Sequence, residues 1–268
     1  MKFKHTATLT ELGAKDIVAL FNKMSNVTYV SFLIHCDDDR VSLDKRLEWA
    51  QPLFELDADI VLFVDATYAQ EISLHLKPRI KVIELDINTL ETVKRIKAAG
   101  TLQLPYSRNV EKDTLNFLTL MNCKTEFLLL AKDHVKTPYV AYLDAGISKI
   151  LKGADTLKRL ETLNVHAIPL MLLPGCHPIR PVESFPYLWK GINWMLSGGF
   201  LVVPNTCVDE LYELHLNSLQ KFLDMGAITW EVNVWASFAH SVKSRIVWYN
   251  GPHTDEMITG IPKNVLLN

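Results

Sequence analysis

The stretch TPYVAYLDAGISKI, residues 137–150, holds the clearest fold signal in the chain. Its apolar run Tyr139–Leu143 is short, rich in aromatic side chains, and stops at Asp144. A run of this kind is typical of a strand that is buried on both faces of a sheet. Ala145 and Gly146 come next, and their small size permits a bulky ligand to approach the end of the strand.

Six further apolar runs of similar length occur along the chain, and most are separated by amphipathic stretches. We predict strands at Val27–Ile34, Ile60–Val64, Ile80–Leu85, Ala167–Leu173, Phe200–Val203 and Arg245–Trp248. Alternation of strands and helices predicts an α/β fold, with a Rossmann-like, mostly parallel central sheet that is flanked by helices. In such sheets ligands bind beyond the carboxyl ends of the strands, so polar residues at those ends are the candidates for function.

The composition is that of a globular chain. Its 268 residues are 49% apolar with a formal net charge of −2, which excludes a disordered chain and gives no general attraction to nucleic acid. We expect one domain over residues 1–268, with a nucleotide-binding half over residues 1–150 and a less regular half over residues 151–268. No signal-peptide-like or membrane-length apolar run occurs, and the four cysteines form no Cys-x-x-Cys pair. We therefore expect a soluble, cytoplasmic protein without a transmembrane segment.

Several common catalytic and nucleotide-binding motifs are missing from the sequence. There is no G-x-G-x-x-G after the first predicted strand, no Walker A sequence, no G-x-S-x-G and no H-E-x-x-H. Recognition of a phosphate group would therefore depend on side chains, a metal ion or a helix terminus.

Acidic residues follow three of the predicted strands. Asp144 suits a hard divalent cation that bridges phosphate oxygens, although it could instead cap the turn that follows. Asp65 could contact a nucleoside. The run Asp37–Asp39 could bind a metal, a ribose or a base, or it could be a solvated loop. Asp57 and Asp59 have D-x-D spacing, but they precede their strand and so belong to the other end of the sheet.

A basic segment, PYSRNVEKD at residues 105–113, reads as a loop that leads into a helix with Asn109 as its N-cap. Arg108 and Lys112 would then lie at the positive end of the helix dipole, which is locally unfavourable for cations. Such a conflict often marks a functional site, and the two cations with the helix terminus would form a pyrophosphate site. The alternative is a solvent-exposed segment whose cations are neutralised by neighbouring acidic residues.

Three features of the second half are further candidates. Gly198 and Gly199 form a tight turn that brings backbone N–H groups close to a ligand, or a plain hairpin turn. Glu231 follows a tryptophan, a combination that fits sugar binding, and the alternative is an amphipathic helix with a solvated Glu231. His253 is a candidate metal ligand together with the aspartate at residue 144, or an ordinary surface histidine.

Residues 105–131 (PYSRNVEKDTLNFLTLMNCKTEFLLLA) and the stretch 137–150 resemble the bacterial HtrL/YibB-like family. The resemblance extends loosely through LSGGFLVVP (196–204), WEVNVWA (230–236) and WYNGPHTDEM (248–257). Together these segments look like a GT-A type nucleotide-sugar glycosyltransferase. This resemblance implies a GT-A-like fold, with residues 1–150 binding the nucleotide sugar and residues 151–268 binding the acceptor.

The resemblance also implies roles for the candidate residues. GT-A enzymes generally hold Mn²⁺ or Mg²⁺ and the donor diphosphate with a D-x-D element after a central strand. Asp144 matches the first carboxylate of this element, but Gly146 stands where the last one would be, so the metal would rest on Asp144 and His253. Arg108 and Lys112 resemble the element that binds the donor phosphates.

On the acceptor side, the turn with Gly198 and Gly199 resembles the wall between the donor and acceptor sugars, and Glu231 resembles the carboxylate near the acceptor. The function implied is transfer of a sugar from a nucleotide-diphosphate donor to a hydroxyl acceptor, a glycan or a lipid-linked saccharide, with Glu231 and Asp144 as catalytic residues. The alternatives are a sugar-nucleotidyltransferase and a non-catalytic protein that binds nucleotide sugars.

Overall fold

The computed structural model describes residues 25–35, 41–72, 77–182 and 185–267. The predicted acidic run Asp37–Asp39 lies outside the described residues. Among the helices that are described, none is long and apolar enough to cross a membrane.

All seven predicted strands are present. They are β1 (Val27–Leu33), β2 (Ile60–Val64), β3 (Ile80–Glu84), β4 (Tyr139–Leu143), β5 (Met171–Gly175), β6 (Phe200–Pro204) and β7 (Ile246–Asn250). The largest shift is in β5, which begins four residues after its predicted start. Ala167 has a φ of 54°, a left-handed conformation that cannot belong to an extended strand.

The seven strands form one sheet in the order β3-β2-β1-β4-β6-β5-β7, so strands from both halves of the chain share it. Strand β6 is antiparallel to both neighbours, β4 and β5, and the other adjacent pairs are parallel. This arrangement confirms the predicted α/β class with a mostly parallel, Rossmann-like central sheet.

The sheet topology fixes where a ligand can bind. Strands β2 and β3 lie on one side of β1 and β4 lies on the other, so the strand order reverses between β1 and β4 and leaves a crevice at their carboxyl ends. Because β6 runs in the opposite direction, its first residue, Phe200, pairs with the last residue of β4, Leu143. The turn before β6 therefore lies at the same edge as the loop after β4.

Ten α-helices accompany the sheet. They are α1 (Leu43–Glu55), α2 (Ala66–Ile72), α3 (Glu91–Ala98), α4 (Leu115–Asn122), α5 (Lys124–Ala131), α6 (Ala154–Glu161), α7 (Phe185–Lys190), α8 (Val208–Asp224), α9 (Glu231–Ala239) and α10 (Glu256–Thr259), counted over the described ranges. Helices α1, α2, α6 and α10 pack on the face that carries Leu33 and Leu143. The others pack on the face that carries Phe32 and Tyr142, giving three layers.

The predicted helix start at Asn109 is wrong. Helix α4 begins at Leu115, because the Thr114 hydroxyl accepts a hydrogen bond from the Phe117 N–H at 3.2 Å. The Asn109 side chain instead accepts from the backbone N–H groups of Glu111 and Lys112, both at 3.1 Å, which closes a turn. The two cations of this segment therefore precede the helix, and the predicted conflict with its dipole does not exist.

Candidate active site

A pocket of about 260 Å³ opens at the carboxyl edge of the sheet, where the strand order reverses. The end of β1 and the loop after β4 form one part of its wall. The turn before β6, the start of α9 and the loop after β7 form another, while α1 and the segment before α4 contribute side chains. The pocket thus lies where ligands of open α/β sheets bind.

The structure brings most of the predicted site residues to this one cavity. Its lining includes Lys112, Asp144, Gly146, Gly198, Gly199, Glu231 and His253. These residues span more than half of the chain, so the sheet topology, not sequence proximity, assembles them.

Two predicted donor-binding residues, Asp65 and Arg108, do not line the pocket. The Asp65 carboxylate accepts hydrogen bonds from the backbone N–H groups of Tyr68, at 3.1 Å, and His35, so it holds the start of α2 against the end of β1. The Arg108 guanidinium donates to the Pro105 carbonyl at 3.1 Å. Both side chains support local backbone structure, and a role in donor binding stays a prediction for them.

Asp144 follows the last residue of β4 and is half-buried. Its N–H donates to the Gly199 carbonyl at 3.0 Å, which ties the end of β4 to the turn before β6. Its carboxylate accepts from the Gly146 N–H at 2.8 Å, so the turn-capping contact considered for this residue is present. Capping uses the Oδ1 atom, and the side chain still lines the pocket.

The most buried charges of the site are Lys124 and Glu231, whose side chains are 3% and 6% exposed. Lys124 Nζ donates to Glu231 Oε1 at 2.5 Å and to the Gly198 carbonyl at 2.9 Å. The ammonium also lies 4.8 Å from the ring centroid of Tyr142, a cation–π contact. The alternative considered for Glu231, a solvated side chain on an amphipathic helix, does not hold, because this carboxylate is enclosed and paired.

Close packing explains the two glycines before β6. A Cβ atom on Gly198 would lie 2.2 Å from Glu231 Oε1 and 3.1 Å from Lys124 Nζ, so a side chain there would force the buried ion pair or the turn to move. A Cβ atom on Gly199 would lie 3.3 Å from Cε1 of His253. The glycine pair therefore lets the ion pair and the imidazole approach the same turn.

The pocket has an excess of positive charge. Among the described lining residues, two carboxylates, Asp144 and Glu231, face four basic side chains: Arg46, Lys112, Lys124 and Lys149. One of the four, Lys112, is paired with the buried Asp113 at 3.0 Å, so neutralisation by a neighbouring acidic residue, the alternative considered for this segment, applies to Lys112. Burial lowers the pKa of His253 from 6.5, with further lowering by the nearby ammonium groups and partial opposition by the two carboxylates. The lowered pKa keeps the imidazole neutral at pH 7. The excess of basic side chains in the cavity suits an anionic ligand.

The fit of a divalent ion can be examined from the donor atoms. No group of three or more His, Cys, Asp and Glu side chains within the described ranges is placed to hold a metal ion. Asp144 and His253 share the pocket, but the other described carboxylate in its lining, Glu231, is engaged by an ammonium. The described side chains thus do not form a ligand set for Mn²⁺ or Mg²⁺, and the predicted metal site stays a prediction.

Trp194 also lines the pocket, although the sequence analysis did not identify it as a site residue. Its side chain is 39% exposed, and its ring meets the His253 imidazole edge-on with centroids 5.4 Å apart. Its backbone φ is 54°, an unfavourable conformation for a residue with a side chain. Neighbouring contacts hold it there, since the Trp194 carbonyl accepts from the Cys176 N–H at 3.0 Å and the Asn193 N–H donates to the buried Asn233 side chain at 3.1 Å.

Comparison with known proteins adds no identification. Neither a protein-family model nor a curated protein matches the chain. The resemblance to GT-A glycosyltransferases and to the HtrL/YibB-like family therefore stays a prediction, and the case for a function rests on the pocket.

Proposed function

We propose that the protein is a glycosyltransferase that moves a sugar from a nucleotide-diphosphate donor to a hydroxyl acceptor. One observation carries this proposal: a single cavity at the strand-order reversal combines an excess of basic side chains, two carboxylates and an exposed tryptophan. Each of these suits one part of the reaction, namely the diphosphate, the acid–base chemistry and the sugar.

The basic side chains would bind the diphosphate of the donor. Lys112 reaches the cavity from the turn before α4, and Lys149 reaches it from the loop after β4. Lysine is a compact point charge that commonly binds phosphate. When the bond between the anomeric carbon and the phosphate oxygen breaks, negative charge grows on the diphosphate, and fixed cations stabilise that charge.

Glu231 is the candidate for chemistry on the acceptor. In an inverting reaction the acceptor oxygen attacks the anomeric carbon, and its proton passes to the Glu231 carboxylate. In a retaining reaction the same carboxylate would stabilise the oxocarbenium-like sugar. In both cases Lys124 holds one carboxylate oxygen in place, and Glu231 lies in the first turn of α9, where the helix dipole favours negative charge.

The sugar would contact Trp194. An aromatic face packs well against the C–H groups of a sugar ring, and a carboxylate accepts hydrogen bonds from its hydroxyls. Trp194 is partly exposed in the same pocket as Asp144 and Glu231, so one sugar ring could contact an aromatic surface and a carboxylate together. The acceptor would then be a saccharide, as part of a glycan or linked to a lipid.

Turnover of donor sugars tests the proposal. Purified protein is incubated with a panel of uridine-, guanosine-, cytidine- and thymidine-diphosphate sugars, and release of the free nucleoside diphosphate is measured. We expect release with at least one donor, and a loss of at least about 100-fold in Asp144→Asn and Glu231→Gln. Asp57→Asn, which changes an exposed carboxylate at the opposite edge of the sheet, is the matched control.

Two other results would replace the proposal with an alternative. Formation of pyrophosphate from a nucleoside triphosphate and a sugar phosphate would identify a sugar-nucleotidyltransferase. Binding of a nucleotide sugar without turnover, unchanged by added acceptors, would identify a non-catalytic binding protein.

A further inference from the structure

We infer that the pocket binds the donor diphosphate through fixed cations without a divalent ion, and that Lys149 supplies the positive charge beside Asp144. This inference rests on the proposed function and concerns how the same site handles the charge of its substrate. It assigns a phosphate-binding role to a residue that sequence patterns did not single out.

The first observation is the space around Gly146. A Cβ atom built on this residue would lie 2.6 Å from Lys149 Cε, 3.0 Å from Lys149 Nζ and 3.3 Å from Asp144 Oδ1. The lysine ammonium and the aspartate carboxylate thus border one small volume. The lysine side chain lies close to this position because residue 146 has no side chain, so the glycine that interrupts the D-x-D pattern makes room for the lysine.

The second observation is that the Lys149 ammonium has a defined position. Lys149 ends a short 3₁₀ turn, and its N–H donates to the Gly146 carbonyl at 3.0 Å. Its Nζ atom lies 4.2 Å from the ring centroid of Trp49 on α1, a cation–π contact. A cation held against an indole ring is ordered before a phosphate arrives, which lowers the cost of binding.

The third observation is the charge of the remaining wall. Arg46 enters from α1, Lys112 from the turn before α4, and Lys124 from the start of α5. Lys112 is paired with Asp113 at 3.0 Å and Lys124 with Glu231 at 2.5 Å, but with Arg46 and Lys149 the described basic side chains still outnumber the carboxylates. This net positive charge would repel a divalent ion that entered next to Lys149, because like charges in a partly buried cavity interact strongly. The same cations attract a diphosphate. The charge pattern therefore favours an anion bound directly to side chains.

Calorimetric titration of the full chain with UDP, GDP, CDP, ADP and dTDP tests this inference. Each titration is run after dialysis against EDTA and again with added MnCl₂. We expect the nucleotide that binds to do so with the same affinity, within about twofold, in both buffers. We also expect Lys149→Met to weaken binding at least about tenfold in EDTA, with partial recovery in Lys149→Arg.

The control is Lys152→Met, because this lysine is three residues away, donates to the Ser148 carbonyl and does not line the pocket. Its affinity for the nucleotide should equal that of the wild type. Gly146→Asp, which restores the D-x-D spacing, should weaken binding in EDTA because the new side chain displaces the Lys149 ammonium.

The outcomes separate this inference from the proposed function. Binding that disappears in EDTA and returns with Mn²⁺ would overturn the inference and leave the proposed function intact. Full affinity in Lys149→Met would also overturn it. Absence of binding by every nucleoside diphosphate in both buffers would overturn the proposed function, and the inference with it.

Discussion

Lys124 Nζ lies 2.5 Å from Glu231 Oε1, in an ion pair whose two side chains are almost completely buried. The two residues begin separate helices, α5 and α9, and the Gly198 carbonyl completes the ammonium's contacts on the turn before β6. One charge–charge contact thus joins three elements at the pocket wall. It fixes the carboxylate to which we assign the acceptor chemistry.

Breaking this pair from one side should cost stability. Lys124→Met leaves the Glu231 carboxylate buried without its cation, and we expect the free energy of unfolding to fall by about 3–5 kcal/mol. Urea denaturation followed by circular dichroism measures it. The double variant Lys124→Met/Glu231→Leu should recover most of the loss because no charge remains buried, yet it should stay inactive. A double variant as unstable as the single one would contradict this account of the pair.

A methyl group on Gly198 should disrupt the ion pair between Lys124 and Glu231. Gly198→Ala puts a carbon 2.2 Å from Glu231 Oε1, so the carboxylate or the turn must move. We expect a loss of about 2 kcal/mol or more in the free energy of unfolding, together with loss of turnover. Gly191→Ala is the control, since its new methyl group would meet the Ser107 Cβ atom at 3.3 Å, and a small shift accommodates it. Equal stability of the two variants would show that the close packing is unimportant.

The left-handed backbone of Trp194 gives a prediction that separates strain from function. Trp194→Gly and Trp194→Ala both remove the indole ring, so both should raise the KM for the donor or acceptor sugar. At a φ of 54°, however, glycine is favoured over alanine by roughly 1 kcal/mol, so Trp194→Gly should be the more stable variant. Thermal unfolding and initial-rate kinetics measure the two effects. An unchanged KM in both variants would remove Trp194 from the sugar site.

His215 should make the protein sensitive to acid. Burial lowers the pKa of His215 from 6.5 to about 3, and its Nδ1 atom accepts from the Trp235 indole at 3.1 Å. Between pH 6.5 and pH 3, His215 is therefore protonated in the unfolded chain but stays neutral in the native state. The contribution of His215 to the free energy of unfolding is fully present above pH 6.5 and is lost as the pH falls from 6.5 towards 3. Between pH 7 and pH 5 this loss is about 2 kcal/mol.

His215→Asn tests this assignment, because its side-chain oxygen can still accept from the indole but does not titrate. The variant should be less stable than the wild type at pH 7, yet lose less stability between pH 7 and pH 5. Urea denaturation at both pH values provides the comparison. The same loss of stability in both proteins would assign the acid sensitivity to other groups.

The sequence predicts the sheet well, because each strand is a short apolar run that ends at polar residues. It also predicts the edge where Asp144, Gly199 and His253 meet, since each follows or precedes a strand at that edge. The helix start at Asn109 was wrong, because Asn109 and Thr114 are both good capping residues and only the folded backbone selects between them.

Long-range pairing could not be read from the sequence. Lys124 and Glu231 are separated by 107 positions, and nothing in either segment identifies the other as its partner. Lys149 lies within the stretch that carries the fold signal, three residues after Gly146, but a surface lysine in a turn has the same local pattern. The sequence did not identify Trp194 as a pocket residue, because its position depends on a backbone conformation that no sequence motif predicts.

The most direct test of the central claim is a crystal structure of the protein soaked or co-crystallised with the nucleoside diphosphate that binds most tightly. The account predicts density for both phosphates in the pocket between β1 and β4, within hydrogen-bonding distance of Lys149 or Lys112 and beside Asp144. A diphosphate found in any other part of the molecule, with this pocket empty at saturating nucleotide, would contradict it.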